Sequence, residues 1–404
     1  MRYFNGEVRL EVADISAPGF GIPWGHSRTY SNQQRVDFDR GNGWNWNPVN
    51  LPHFGASTLS GSALALYGNL YNLRYFYASG SPTYISQFGD LATLVHLATP
   101  KLLRLTEPDG SVWMFNDLTV TDRPGGFKYM IASGGAILSV TQESGDQILE
   151  IQRDVTAGGV QYTDSFLYEY ISGGELNGHI SACTHRSSSG TGPWTNLTRV
   201  IYSYYGSSDL SGSLGDLQTA TRQILLSSGI WSDLGTDYYR YYKTGNEKGA
   251  AHDIKFVCSP ESFARLDAYT SGNPFTASDL TVSLFADFYY EFDSNDRVSL
   301  ERVYSGSKTI TFSYTRNPRY SGGGSSSSSA SATPGNNVWI YRTVETRPDY
   351  SQKVTYANFA GQTMLSVLKT SATSADQWCT FFLYDDAARQ IWMAQPSAVT
   401  GYDD

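Results

Sequence analysis

Apolar and polar residues alternate along most of this 404-residue chain with the two-residue period of β-strands. Val8, Leu10 and Val12 alternate in this way near the N-terminus, and residues 1–31 predict a hairpin whose strands flank a Pro- and Gly-rich turn. Short strand-like segments follow to the C-terminus, separated by Gly, Asp, Ser and Pro. The pattern predicts a mostly β protein, a large antiparallel sheet of stacked hairpins.

Two stretches depart from the strand pattern and predict short helices. In "CSPESFARLDAYT", Ser259 can cap a helix and Pro260 suits its first position, so a helix is expected at about 260–268. A second helix is expected to begin near 276–279, before the sequence "FYYEF" returns to strand.

Sequence pattern also suggests a division of the chain into two β regions. Residues 1–145 form an N-terminal entry region, and residues 146–404 form a region of repeated hairpins. Residues 321–337, "SGGGSSSSSASATPGNN", are low in complexity and cannot bury apolar surface, so they predict a flexible insertion between strands.

Composition supports a β fold and disfavours some classes of partner. Aromatic residues make up 14% of the chain and charged residues only 17%, which favours strands over amphipathic helices. The net charge is −9 and there is no dense Lys/Arg cluster, so we expect no binding to nucleic acid. No apolar segment approaches 18 residues, and none resembles a signal peptide, so no membrane span is expected.

An aromatic-Asp pair followed by Arg four residues after the Asp occurs twice in the last third of the chain. The two copies consist of Phe292, Asp293 and Arg297, and of Tyr384, Asp385 and Arg389. Tyr314 marks a degenerate third copy, with Thr315 and Arg319 at the same offset, and Tyr402 with Asp403 begins another. Strands flank a turn at Gly306, so each copy predicts one hairpin that must stack on its neighbours.

This pattern resembles the RHS/YD-repeat family, whose unit is Tyr-x-Tyr-Asp-x-x-Gly-Arg followed by a Gly turn. The matching residues are Tyr290, Phe292, Asp293, Arg297, Gly306, Phe312 and Tyr314, then Phe382, Tyr384, Asp385, Arg389 and Ile391. The family Gly before Arg is replaced by Asp296 and by Ala388.

The N-terminal segment is also similar to the entry segment of RHS proteins. The matching residues are Gly6, Asp14, Gly19, Pro23, Arg28, Tyr30 and Ser31. The resemblance implies a twisted β shell that encloses a C-terminal polypeptide, in a protein located outside the cell or on its surface.

The recurring Asp and Arg predict a structural role. The Asp can accept backbone N–H bonds within a turn, and the Arg can reach that carboxylate or lie over a ring of the adjacent strand. A catalytic carboxylate need not recur with every hairpin, so Asp293 and Asp385 are not expected to be catalytic.

Few other residues suggest chemistry. His179, Cys183 and His185 could share one strand face as metal ligands, but ordinary packing is favoured. The three cysteines, Cys183, Cys258 and Cys379, are expected to be buried free thiols. We find no nucleotide or hydrolase motif and expect no catalytic residue, no metal and no cofactor.

Trp44 and Trp46 support a second hypothesis from a different functional class. If they lie on one side of an exposed extended segment, they could form a platform on which sugars stack. If they are buried, they fill the end of the β shell.

The main expectation is therefore a non-enzymatic structural shell module of a secreted or surface protein, with a C-terminal cargo polypeptide or further copies of itself as partner. Open sheet edges would allow assembly into oligomers or filaments. The alternative is a surface adhesin or glycan-binding module that binds cell-surface glycans, and a carbohydrate-active enzyme is a more distant one.

Overall fold

The computed structural model describes residues 1–17, 24–38, 41–47, 51–56, 63–67, 73–86, 91–320, 335–386, 388–399 and 401–402. Most of the predicted insertion, residues 321–334, lies outside the described residues. The chain divides into two compact units. The N-terminal unit is Leu10–Tyr239, and the C-terminal unit is Arg240–Asp404 together with Met1–Arg9.

The first strands form two small sheets. Strands β1 (Arg9–Ala17), β2 (Trp24–Ser31) and β5 (Trp46–Asn47) form a three-stranded sheet in the order β1-β2-β5. Strands β3 (Asp37–Phe38) and β4 (Gly43–Trp44) form a two-stranded sheet. The hairpin predicted within residues 1–31 corresponds to β1 and β2.

The other strands form one antiparallel sheet of 24 strands, which is not closed into a barrel. Neighbours follow one another in chain order. The first fifteen are β6 (His53–Ala56), β7 (Ala63–Tyr67), β8 (Leu73–Gly80), β9 (Thr83–Ser86), β10 (Thr93–Leu97), β11 (Leu102–Thr106), β12 (Val112–Asn116), β13 (Phe127–Ile131), β14 (Ile137–Ser144), β15 (Gln147–Ala157), β16 (Val160–Tyr170), β17 (Ile180–Ser189), β18 (Thr195–Tyr204), β19 (Leu217–Leu225) and β20 (Trp231–Tyr241).

The last nine strands of this sheet carry the predicted repeats. They are β21 (Ile254–Cys258), β22 (Phe288–Phe292), β23 (Val298–Val303), β24 (Lys308–Arg316), β25 (Tyr341–Thr346), β26 (Gln352–Ala357), β27 (Thr363–Lys369), β28 (Gln377–Tyr384) and β29 (Gln390–Ala394). The predicted fold class, a large antiparallel sheet of stacked hairpins, is confirmed.

Alternation of side chains explains why these segments are strands. Ile151 of β15 lies opposite Phe166 of β16, and both side chains are fully buried. In the C-terminal unit, five residues of three neighbouring strands form a buried cluster: Val354, Tyr356, Leu365, Val367 and Cys379. Same-face positions along successive strands therefore make a continuous apolar layer within each unit.

The two predicted helices are present. Helix α1 spans Pro260–Tyr269 and helix α2 spans Asp279–Ser283. The predicted cap differs in detail, because the Ser259 side chain makes no cap bond, and its backbone N–H instead donates to Asp287 Oδ2 at 2.6 Å. For α2, the Ser278 hydroxyl accepts from the Thr281 N–H at 3.1 Å.

Candidate functional site

A buried arginine cluster lies in the N-terminal unit and joins its first two strands. Arg28 of β2 donates from Nε to Asp14 Oδ2 at 2.7 Å and from Nη2 to Asp14 Oδ1 at 3.1 Å. Both side chains are fully buried. Two parallel N–H···O bonds fix the geometry of the pair, and they compensate for part of the cost of removing both charges from water.

Aromatic side chains and a second carboxylate complete the surroundings of Arg28. Nη1 donates to the Tyr239 hydroxyl at 2.9 Å, and Nη2 also donates to Asp237 Oδ2 at 3.2 Å. The Tyr202 hydroxyl donates to Asp14 Oδ2 at 2.6 Å. The ring of Trp46 lies 4.8 Å from the guanidinium carbon. The cluster therefore attaches β1, β2 and β5 to strands β18 and β20.

The charge balance of the cluster keeps Arg28 protonated. Burial acts to lower the pKa of Arg28, but the Asp14 carboxylate outweighs it, so the pKa lies well above its usual value. Burial and the adjacent Asp14 charge raise the pKa of Tyr202 well above its usual value. Neither group is poised to exchange a proton near neutral pH, so the arrangement supports structure rather than acid–base chemistry.

His26 extends this cluster as a neutral side chain. Its Nε2 lies 2.8 Å from the Tyr202 hydroxyl, and its Nδ1 lies 3.4 Å from the Tyr168 hydroxyl. Because Tyr202 donates to Asp14, the bond from His26 to Tyr202 needs a proton on Nε2, and Nδ1 then accepts from Tyr168. Burial lowers the pKa of His26 to about 4.

The position of the two tryptophans corrects the hypothesis of a sugar platform. Trp46 is fully buried, packed 5.2 Å from the Tyr30 ring and 5.1 Å from the Tyr239 ring. Trp44 lies on β4, and Asn45 between them adopts a left-handed φ of 64°, so the segment is not regularly extended. The two rings therefore do not form one exposed face, and Trp46 has the packing role of the other interpretation.

The first repeat turn lies in the C-terminal unit and is closed by Asp293 and Arg297. Asp293 Oδ2 accepts from Arg297 Nε at 2.9 Å and from Arg297 Nη2 at 2.6 Å. Asp293 Oδ1 accepts from the backbone N–H groups of Asn295 at 2.8 Å and Arg297 at 3.1 Å. The guanidinium carbon of Arg297 lies 4.4 Å from the centre of the Tyr314 ring.

The hydrogen bonds in the first turn keep Asp293 ionised. Partial burial acts to raise the pKa of Asp293, but the bonds from Arg297 and the backbone lower it below its usual value. The Asp293 carboxylate therefore stays ionised and accepts hydrogen bonds from its own turn, which is the structural role that the sequence predicted.

The second repeat turn has the same arrangement. Asp385 Oδ2 accepts from Arg389 Nε at 2.8 Å and Nη2 at 2.7 Å, and Oδ1 accepts from the Arg389 backbone N–H at 2.8 Å. The Asp385 N–H donates to the Arg389 carbonyl at 2.9 Å, as the Asp293 N–H does to Arg297 at 2.7 Å. The shared sequence pattern thus corresponds to a shared hydrogen-bonded turn.

A third turn of this kind was missed by the sequence pattern. Asn358 Oδ1 accepts from the backbone N–H groups of Ala360 and Gln362, both at 3.0 Å, and the Asn358 N–H donates to the Gln362 carbonyl at 3.0 Å. The signal was "YANFAGQ", in which Asn and Gln replace Asp and Arg at the same offset and Gly361 stands before Gln362.

The degenerate copy proposed at Thr315 and Arg319 does not form such a turn. Thr315 lies inside strand β24, where it pairs with Arg342 of β25. The Arg319 backbone N–H donates to Asn317 Oδ1 at 3.1 Å. Tyr314, the aromatic position of this copy, lies in strand β24, and a short 3-10 helix at Pro318–Tyr320 follows the strand.

The other residues of the repeat motif occupy packing positions in the C-terminal unit. Tyr290 and Phe292 are buried in β22, and the Tyr314 hydroxyl donates to the Val298 carbonyl at 2.6 Å. The Tyr384 hydroxyl donates to the Thr363 carbonyl at 2.7 Å.

Two further motif positions lie in less regular backbone. Gly306, in the turn between β23 and β24, has a φ of 78°, which favours glycine. Tyr402 lies 5.8 Å from the Tyr356 ring, and Asp403 lies outside the described residues.

His179, Cys183 and His185 do not come together as a metal site. His185 Nε2 lies 2.9 Å from Asp164 Oδ1, and its ring stacks on Phe166 at 4.9 Å. His179 Nδ1 lies 3.0 Å from the Leu176 carbonyl. Among the residues that the structure describes, no three His, Cys, Asp or Glu side chains are grouped as metal ligands. The three cysteines are buried and free.

No family model and no curated protein matches this sequence. Solved structures do match. The Tc holotoxin pore of Photorhabdus luminescens, with a mutant TccC3, is 10% identical, with 96% of this chain and 23% of that chain covered at a TM-score of 0.39. A TcdB2-TccC3-Cdc42 complex is 11% identical, with 97% and 26% covered at a TM-score of 0.39. The chain thus spans about a quarter of those chains, and at this level the similarity assigns no residue a role.

No α-helix in the described part of the chain has both the length and the apolar character needed to cross a lipid bilayer.

Proposed function

We propose that this chain is a non-enzymatic structural β module that encloses or presents a polypeptide segment attached at its C-terminal end, as the resemblance to RHS/YD proteins implies. The module acts outside the cell or on its surface. Its partners are that cargo segment and further copies of the chain.

The observation that carries the proposal is the shared turn at Asp293 and Asp385. In both copies the charged pair bonds to itself and to the backbone of its own turn, so the recurring residues stabilise hairpins. In the 24-stranded antiparallel sheet, backbone hydrogen bonds join each strand to the next. A continuous hydrogen-bonded sheet supports the proposal, because an enclosing layer must resist local opening.

The buried arginine cluster supports the same function. It holds the N-terminal strands β1, β2 and β5 against the large sheet within the N-terminal unit through Arg28, Asp14 and Tyr202. The burial of Trp46 argues against a sugar-stacking platform formed by Trp44 and Trp46.

The test is a protease-protection experiment on two matched fusions. A flexible reporter peptide is attached after Asp404 in one protein and before Met1 in the other. We expect the C-terminal reporter to be cleaved at least about tenfold more slowly than the N-terminal one, because an enclosed segment is cut only when the wall opens. Equal cleavage rates would contradict enclosure.

A further inference from the structure

Strand β29 is an edge strand that exposes large apolar side chains. Of the strands in the described part of the chain, only β28 pairs with it, and the sheet is not closed into a barrel. Ile391 is 53% exposed, Trp392 68% and Met393 50%. An edge strand with free backbone groups and apolar side chains is a template for a further strand.

An apolar cleft lies beside β29, where the apolar layer of the C-terminal unit is open to solvent. Its volume is about 520 Å³, and its walls lie within the C-terminal unit. The lining includes Trp339, Tyr356, Leu365, Phe381, Trp392 and Tyr402. Trp392 belongs to the face that carries Phe381 and Leu365, because Leu383 pairs with Trp392 and Leu365 pairs with Phe381. Trp392, the most exposed of the three large apolar residues of the strand, thus extends the face of a core layer to the sheet edge.

The charge pattern of β29 favours an identical strand as the occupant. The sequence Gln390–Ala394 is "QIWMA", which has no charged residue, and Gln395 follows it. Two copies can therefore approach without opposing like charges, which would destabilise an antiparallel pair.

Strand geometry then fixes the register of such a pair. Residues opposite each other in an antiparallel pair point to the same face. In a two-fold symmetric pair, one residue must therefore face its own copy. With Trp392 at this centre, Ile391 lies opposite the partner's Met393 and Gln390 lies opposite the partner's Ala394. This register places Trp392 of one copy opposite Trp392 of the other, where a cross-strand aromatic pair stabilises the sheet.

We propose that β29 pairs antiparallel with β29 of a second copy of this chain, centred on Trp392. This inference rests on the proposed function and names the surface through which the module associates with itself. Five strand residues and their rings form a small interface, so the dissociation constant should be about micromolar or weaker.

The first test measures mass against concentration by sedimentation equilibrium. The wild-type chain should pass from monomer to dimer as its concentration rises. Trp392→Lys should remain monomeric, because it places a charge at the symmetry centre. Trp378→Lys is the matched control, because Trp378 is 49% exposed on β28 but is not on the edge, and it should dimerise like wild type.

The second test measures the register by disulfide cross-linking. Gln390→Cys with Ala394→Cys leaves Trp392 in place and should give a covalent dimer, whereas either single variant should not. The two new thiols of one strand lie about 13 Å apart, too far for a bond within one chain.

Three results would overturn the inference: a wild-type monomer at every concentration, a Trp392→Lys variant that still dimerises, or species that grow beyond dimer. None of them contradicts enclosure, which the cleavage rates of the two reporter fusions test separately.

Discussion

At the scale of the residue, the N-terminal unit depends on a small number of buried polar side chains. Arg28 and Asp14 lie fourteen residues apart in sequence and on adjacent strands, and both are removed from water. His26 links this pair to Tyr168 through two hydroxyl groups while remaining uncharged. Each of these side chains forms a hydrogen bond with another one, so the loss of one side chain leaves a buried polar group without that hydrogen bond.

We expect the neutral state of His26 to make stability pH-dependent. The pKa of His26 is about 4 in the folded chain and its ordinary value is 6.5, so between these values the unfolded chain binds a proton that the folded chain does not. The free energy of unfolding should therefore fall as the pH drops below 6.5, and the part of this loss that comes from His26 should reach about 2–3 kcal/mol at pH 4.5.

Urea unfolding of wild type and His26→Gln at pH 7 and pH 4.5 measures this contribution. Carboxylates also titrate in this range, so the informative quantity is the difference between the two proteins. His26→Gln should lose about 2–3 kcal/mol less stability than wild type over the interval. Equal losses would show that His26 is not held neutral.

At the scale of the element, the repeat turn explains why the family motif has Gly before Arg. Asp296 has a φ of 56°, Ala388 of 61° and Gly361 of 79°, each at the position before the Arg or Gln of its turn. This left-handed region is unfavourable for residues with a Cβ atom. Asp296 and Ala388, which replace the motif glycine, thus adopt the same turn conformation at the energetic cost of a left-handed backbone.

Restoring glycine at one of these positions should stabilise the turn. Ala388→Gly should increase the free energy of unfolding by about 0.5–1 kcal/mol, because removal of the left-handed penalty exceeds the entropy that glycine loses. Gly361→Ala is the reciprocal control and should destabilise the chain, because an added Cβ would also lie 3.0 Å from the Phe4 ring. Thermal unfolding monitored by circular dichroism measures both, and a destabilising Ala388→Gly would refute the strain argument.

At the scale of the whole molecule, the N-terminal residues belong to the compact unit formed by the last two fifths of the chain. Met1–Arg9 and Arg240–Asp404 make up this unit. The Val298 N–H donates to the Gly6 carbonyl at 2.9 Å, and Phe4 packs edge-on to Tyr341 at 4.8 Å. Gly6, a position of the entry-segment resemblance, therefore contacts the first repeat turn directly.

Gly6→Ala should destabilise the C-terminal unit. Gly6 has a φ of 68°, and an added Cβ would lie 2.4 Å from the Arg297 Cβ and 2.7 Å from the Tyr314 hydroxyl oxygen. We expect a loss of about 2–3 kcal/mol from backbone strain and overpacking. Gly134→Ala is the control, since its Cβ would meet nothing within 4 Å. Hydrogen exchange of β23 and β24 should increase in Gly6→Ala alone, and unchanged exchange would contradict the packing argument.

The sequence by itself determined the elements of this protein. Alternating apolar residues predicted the strands, Pro260 located the first helix, and the spacing of Asp293 and Arg297 suggested a turn whose contacts the structure describes. These features depend on neighbours within a few residues, where backbone geometry follows directly from residue type.

Only the tertiary structure decided which distant residues meet. Asp14 and Arg28 were known from the resemblance, but their contacts with Tyr202 and Tyr239 join residues about 200 positions apart, which no local period records. The same holds for the burial of Trp46, which the sequence favoured but could not decide. Burial depends on what packs above a strand, and that is set by the path of the whole chain rather than by the pattern along one strand.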